Sequence, residues 1–170
     1  MENQIVTFEA THRNGKVYIP VSPSLRELRE RGFGELRKGK LIFSPFETFY
    51  LVEKNRIKVT DAKTSRPLEL RDMVNAVSAG KSEIWIKYLI YRDLRDRGYI
   101  VRESTDWDFE VYGKGAIRRL ISIIYEGREA SLEKLGKYLK IATREKKELI
   151  LAVIDRRTDI VYYSLTSSDI

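Results

Sequence analysis

Residues 107–125 hold the groups best suited to chemistry. Two short apolar runs, Phe109–Tyr112 and 120–125, flank a turn that contains Gly113 and Gly115 and runs straight into Arg118 and Arg119. Glycine carries no Cβ, so backbone there can approach a ligand closely, and guanidinium forks match the oxygens of a phosphate. The stretch reads as two strands joined by a loop that a phosphate can approach. Little else in the chain offers competing chemistry. Its 170 residues include no Cys and a single His, His12. That excludes thiolate nucleophiles, disulfides and Cys-ligated zinc, and it argues strongly against a His-based metal centre or a serine-hydrolase triad. His12 lies beside an Asn14-Gly15 turn and reads as an exposed loop histidine.

The elements that must position this stretch follow from periodicity. Residues 4–9 and 16–21 alternate apolar and polar around Asn14-Gly15, a hairpin signal because both turn residues tolerate positive φ. A short helix over 24–31, a strand over Lys40–Phe43 and a helix opened by Ser44-Pro45 with Glu47 at the capping-box position come next. A strand over 57–60 and a helix over 68–79 complete a first half. A small polar break near Lys81 marks a boundary, giving an α/β domain over 1–80 and a second domain over 81–170. The second half reads as a helix from Ser82 to Gly98, three strands, a helix over 131–141 and two strands. The run 149–154 is apolar throughout and is expected to be a central strand buried on both faces. The fold class is therefore α+β or α/β, with a mixed sheet flanked by helices.

Composition bounds the setting. Hydrophobic residues make up 42% of the chain, enough for a core, and 32 Lys and Arg against 25 Asp and Glu give a net charge of +7, which is compatible with a nucleic-acid partner. Charged residues of both signs are interleaved at 34%, as in proteins with surface ion-pair networks. No run approaches the roughly 18 apolar residues of a membrane span, and the N-terminus lacks a signal-peptide core. A cytoplasmic location is expected, with no membrane partner.

Three segments carry a resemblance. Residues 88–102 (Tyr-Leu-Ile-Tyr-Arg-Asp-Leu-Arg-Asp-Arg-Gly-Tyr-Ile-Val-Arg), 108–112 (Asp-Phe-Glu-Val-Tyr) and 147–155 (Lys-Glu-Leu-Ile-Leu-Ala-Val-Ile-Asp) resemble, in order and spacing, the C-terminal domain of the archaeal tRNA-splicing endonuclease family. Residues 44–59 are similar to that family's N-terminal domain. The resemblance implies an endonuclease-like C-terminal domain and a reaction without metal or cofactor. In it, the 2′-hydroxyl at each intron end of a precursor tRNA attacks the adjacent phosphorus, leaving a 2′,3′-cyclic phosphate and a 5′-hydroxyl. A tyrosine acts as base, a histidine protonates the leaving oxygen and a lysine faces the charged phosphorane. Tyr112 matches the tyrosine and Lys147 the lysine. Ala116 stands where the histidine belongs, and no histidine occurs anywhere from Lys81 onward. Arg118 and Arg119 cannot donate that proton, because guanidinium keeps it near neutrality; they remain candidate contacts to RNA phosphates.

The last segment points to a partner. Residues 160–165 are apolar on both alternations and no later element can cover them, so a partner strand is expected. The resemblance agrees: in the family, terminal strands pair tail to tail between subunits, and an acidic loop before them docks into a basic pocket of another subunit. Here Asp155 and Asp159 lie in that loop, and Ile160, Val161, Tyr162, Tyr163 and Leu165 form the expected interface. Some archaea divide the enzyme between catalytic and structural chains, two of each. A chain with the assembly elements and no acid is expected to be the structural one, with precursor tRNA as the complex's substrate. An active subunit using Tyr112 and Lys147 with an acid supplied in trans, and a stand-alone RNA- or protein-binding module, are the alternatives.

Overall fold

A computed structural model describes residues 5–113 and 118–166. The chain forms two compact units, Met1–Tyr88 and Leu89–Ile170, and is α+β in class. The first unit contains β1 (Phe8–Arg13), β2 (Lys16–Pro20), α1 (Arg26–Glu30), β3 (Glu35–Arg37), β4 (Lys40–Phe43), α2 (Pro45–Glu53), β5 (Ile57–Asp61), β6 (Pro67–Leu68) and α3 (Leu70–Ser78). Its six-stranded sheet has the order β3-β4-β2-β1-β5-β6, with β1 and β5 parallel. Asn14 and Gly15 turn the first hairpin at φ 52° and 73°. The first strand lies closer to that turn than residues 4–9 predict, because β1 takes its register from β5: Phe8 sits opposite Ile57 and His12 opposite Asp61.

That register corrects the reading of His12. It is a half-buried strand residue whose Nδ1–H donates to Asp61 Oδ1 at 3.1 Å. The bond from His12, followed by bonds from the Thr64 backbone and hydroxyl, holds the Asp61 carboxyl at about 2, below its ordinary 3.8. A depressed carboxyl stabilises the fold fully above its unfolded value and loses that contribution as pH falls toward the folded one. His12→Ala is therefore expected to raise the Asp61 titration midpoint, followed by its carboxyl NMR shift, and to move acid unfolding to higher pH. An unmoved Asp61 midpoint would contradict the pairing.

The Ser44 cap forms as its residues dictate. Ser44 Oγ accepts from Glu47 N at 3.3 Å, and Glu47 Oε2 accepts from Ser44 N at 2.9 Å. The other Glu47 oxygen accepts from Gly34 N at 3.1 Å, so this buried carboxylate ties α2 to the turn before β3. The two compact units divide within α4 (Ser82–Asp96), a few residues beyond Lys81. Tyr88, on the second turn of α4, is fully buried against Phe46 and Phe49 and donates its hydroxyl to Glu53. The polar break at Lys81 thus marks where a helix begins, while packing carries its first two turns with the first unit.

The second unit contains β7 (Ile100–Glu103), β8 (Phe109–Tyr112), β9 (Arg118–Tyr125), α5 (Leu132–Arg144), β10 (Glu148–Ile154) and β11 (Ile160–Leu165). The sheet order β11-β10-β9-β8-β7 is mixed, with only β9 and β10 parallel among these pairs, as their linking helix requires. Leu135, Tyr138, Leu139 and Ala142 of α5 pack on Leu120 and Leu149, with Trp107 and Leu165 at the margin. On the opposite face Tyr91 of α4 lies 5.9 Å from the buried Phe109 ring. Each such side chain contributes about 2 kcal/mol of burial. The burial expected for β10 on both faces does not hold along its whole length. The apolar run in β10 is next to the edge strand, not central, and Leu151 and Val153 are only half-buried, because α5 covers the sheet near Leu149 and not its far end. Among the described residues no helix is long and apolar enough to cross a membrane.

Candidate functional site

Strand alternation sorts the candidate residues. Tyr112 sits opposite Arg118 and Glu110 opposite Leu120, so these four share the face that α5 covers. Val111 sits opposite Arg119 and both face the other way. Arg118 lies over the Tyr112 ring, its guanidinium carbon 5.1 Å from the centroid. It has no carboxylate partner among the described residues. Arg119 is instead bound to Glu148 at 2.8 Å and lies 5.9 Å from the Tyr99 ring centroid. The two arginines that sequence placed side by side are therefore separated by the sheet. Gly113 is also accounted for by packing: a Cβ there would meet two carbons of the Tyr99 ring at 3.1 and 3.2 Å. Ala116 and Gly115 lie outside the described residues.

Lys147 enters the site from the end of α5. The helix closes with Lys146 in the left-handed region at φ 55°, and Lys147 N donates to Ala142 O at 2.8 Å. This directs the side chain across β9 toward β8. Its ammonium sits 2.9 Å from Glu110 Oε1 and 2.9 Å from Glu145 Oε2, and 5.5 Å from the Trp107 ring centroid. Only 13% of the side chain is exposed. The pairing of the ammonium with the Glu145 and then the Glu110 carboxylate outweighs burial and pushes it above its ordinary value, while Lys147 holds Glu145 below its own. Arg144 lies 3.7 Å from the other Glu145 oxygen, so two cations and two carboxylates balance and the ammonium is fully engaged. A phosphate arriving here meets carboxylate oxygens where a phosphorane needs positive charge.

Sequence reasoning missed Glu110, Glu145 and Trp107. Glu110 had a signal, since it lies two residues from Tyr112 on the same strand and so on the same face. Glu145 had none, because the turn that brings it to Lys147 depends on the left-handed Lys146.

The expected interface residues also divide. Tyr162 faces α4: its hydroxyl donates to Asp93 Oδ2 at 2.7 Å, and Arg97 lies over its ring at 5.2 Å. Burial, then Asp93, pushes the phenol well above its ordinary range. Ile160 points the same way and is half-buried. Val161 and Tyr163 point to the other face and are 49% and 55% exposed, while Leu165, further along, reaches the α5 cluster. Asp155 is occupied by its own turn, one oxygen accepting from Arg157 N at 2.8 Å and Asp159 N at 2.9 Å; Asp159 itself is exposed.

Comparison with known proteins covers nearly the whole chain. Residues 84–162 match the family model for the tRNA intron endonuclease catalytic C-terminal domain, and residues 8–74 match that for its N-terminal domain. The tRNA-splicing endonuclease of Pyrococcus furiosus is 35% identical over 155 residues, spanning 88% of this chain and 90% of that protein. That of Thermococcus onnurineus is 34% identical over 140 residues, spanning 79% and 81%. That of Methanococcus maripaludis is 30% identical over 166 residues, spanning 94% and 93%.

Proposed function

The chain belongs to the tRNA intron endonuclease family, and from that premise we propose that it is a non-catalytic, structural subunit of a complex that removes introns from precursor tRNA. The clamp on Lys147 carries this reading. A lysine that must meet a phosphorane needs a free ammonium, and here two carboxylates hold it. The missing acid points the same way: His12 is the one histidine, and it is bound to Asp61 in the first unit. Loss of a general acid alone costs about 10²- to 10⁴-fold in rate. The chain's work is then to join and space two catalytic partners of the same fold, in a two-plus-two assembly whose contact runs through Val161 and Tyr163. Its basic surface, Arg118 included, adds phosphate contacts that position RNA without reading sequence.

The test pairs the chain with a catalytic chain of the family that carries Tyr, His and Lys, and measures precursor tRNA cleavage. Tyr112→Phe in this chain is expected to leave the rate of the complex within about twofold. A loss of about 100-fold or more would overturn the reading and make the chain a working subunit that borrows its acid.

A further inference from the structure

Most of the chain's basic excess belongs to the first unit. Met1–Tyr88 carries 16 Lys and Arg against 11 Asp and Glu, a surplus of five out of the chain's +7. In this unit an apolar groove of about 370 Å³ runs along α3 to the start of α4, lined by Leu70, Arg71, Val74, Asn75 and Trp85. Trp85 is 39% exposed, and its ring leans on the fully buried Tyr88 at 5.3 Å, so the platform is fixed from behind. The polar members of the groove have capacity to spare. Arg71 is exposed and has no carboxylate partner among the described residues, whereas Arg26, Arg37 and Arg97 are each paired. The Asn75 side-chain amide makes no hydrogen bond among the described residues.

We propose that this groove binds an unpaired nucleobase of single-stranded RNA. The base stacks on the Trp85 indole, Leu70 and Val74 cover its edge, the Asn75 amide bonds its polar rim, and Arg71 takes the adjoining phosphate. A base has a π-face for Trp85 and a negative charge at a fixed tether for Arg71, a combination that an apolar peptide lacks. Stacking of this kind tolerates sequence, and a base held in a duplex cannot enter it. The inference rests on the chain working on RNA, but not on its lack of catalysis.

The experiment uses the full chain with a ten-nucleotide single-stranded RNA and, separately, a paired RNA of equal length, with binding read by fluorescence anisotropy. The single strand is expected to bind more tightly than the duplex. Trp85→Ala is expected to weaken the single strand about tenfold and leave the duplex unchanged, with Trp85→Phe retaining most of the affinity. Arg71→Ala is expected to lower the salt slope for the single strand by about 0.7. Equal binding of single strand and duplex by the parent chain, or Trp85→Ala binding like the parent, overturns the proposal. So does a Trp85→Ala chain that keeps its RNA affinity but no longer joins a catalytic partner on a sizing column, which would assign the groove to protein. The structural-subunit reading stands or falls separately, on cleavage by the Tyr112→Phe complex.

Discussion

Val161→Asp with Tyr163→Asp is expected to abolish assembly. Mixed with a catalytic chain of the family, the parent should run by light scattering at the mass of two plus two, and the double variant at the mass of a free chain. The reason lies in the parity of β11. Its Tyr162 side is consumed internally by Asp93 and Arg97, while Val161 and Tyr163 stand exposed on an edge strand, beside the half-buried Leu151 and Val153. An edge of this kind invites a partner strand. Two carboxylates placed there cost little in the free chain, where water reaches them, but must be desolvated without a counter-charge in the assembly. An affinity loss of about 1,000-fold, roughly 4 kcal/mol, is expected. Far-UV circular dichroism of the variant should match the parent. A double variant that still assembles would remove β11 from the interface.

Lys147→Met is expected to behave as a stability change and not as a catalytic one. Removing the ammonium leaves Glu110 and Glu145 facing one another beside Trp107, with Arg144, 3.7 Å from Glu145, as the remaining cation. Stranding buried charge is costly, and partial exposure of Glu145 moderates the figure. A loss of about 2 kcal/mol in urea unfolding near neutral pH is expected. The pH dependence has a defined sign. Lys147 is raised above 10.5, so its contribution is complete below that value and is lost as pH climbs past it. Glu145 is held below 4.5, so its contribution is complete above that value and is lost in acid. The gap between parent and variant should therefore be flat from about pH 5 to 10 and narrow on either side. At a temperature well below unfolding, cleavage by the assembled complex should change less than about twofold. Unchanged stability with a 100-fold loss of cleavage would mean that the lysine is free to meet phosphate after all.

Much of the architecture is legible in local residue patterns. Ser44, Pro45 and Glu47 announce α2, and the alternation in Phe109–Tyr112 announces β8, since each depends on neighbours within a few positions. The parts that were not legible depend on distant ones. β3 and β6, three and two residues long, are strands only because β4 and β5 hold them. The position of β1 is set by β5, and the exposed ends of β10 by how far α5 reaches. At the site, Tyr112 and Lys147 can be found from the motif that surrounds them. The clamp on Lys147 cannot, because Glu110 and Glu145 come from a strand and a helix end separated by 35 residues of chain.

The two-sidedness of β11 bears on how such a chain can diverge. Residues that keep the strand attached to its own domain and the exposed residues of the proposed interface occupy alternate positions, so a change at one set leaves the other intact. Val161 and Tyr163 can be replaced, and a different partner chosen, while Tyr162 goes on holding the strand to α4. On the proposed reading, a duplicated copy of the chain can therefore acquire a new mate by a few substitutions without first losing its fold.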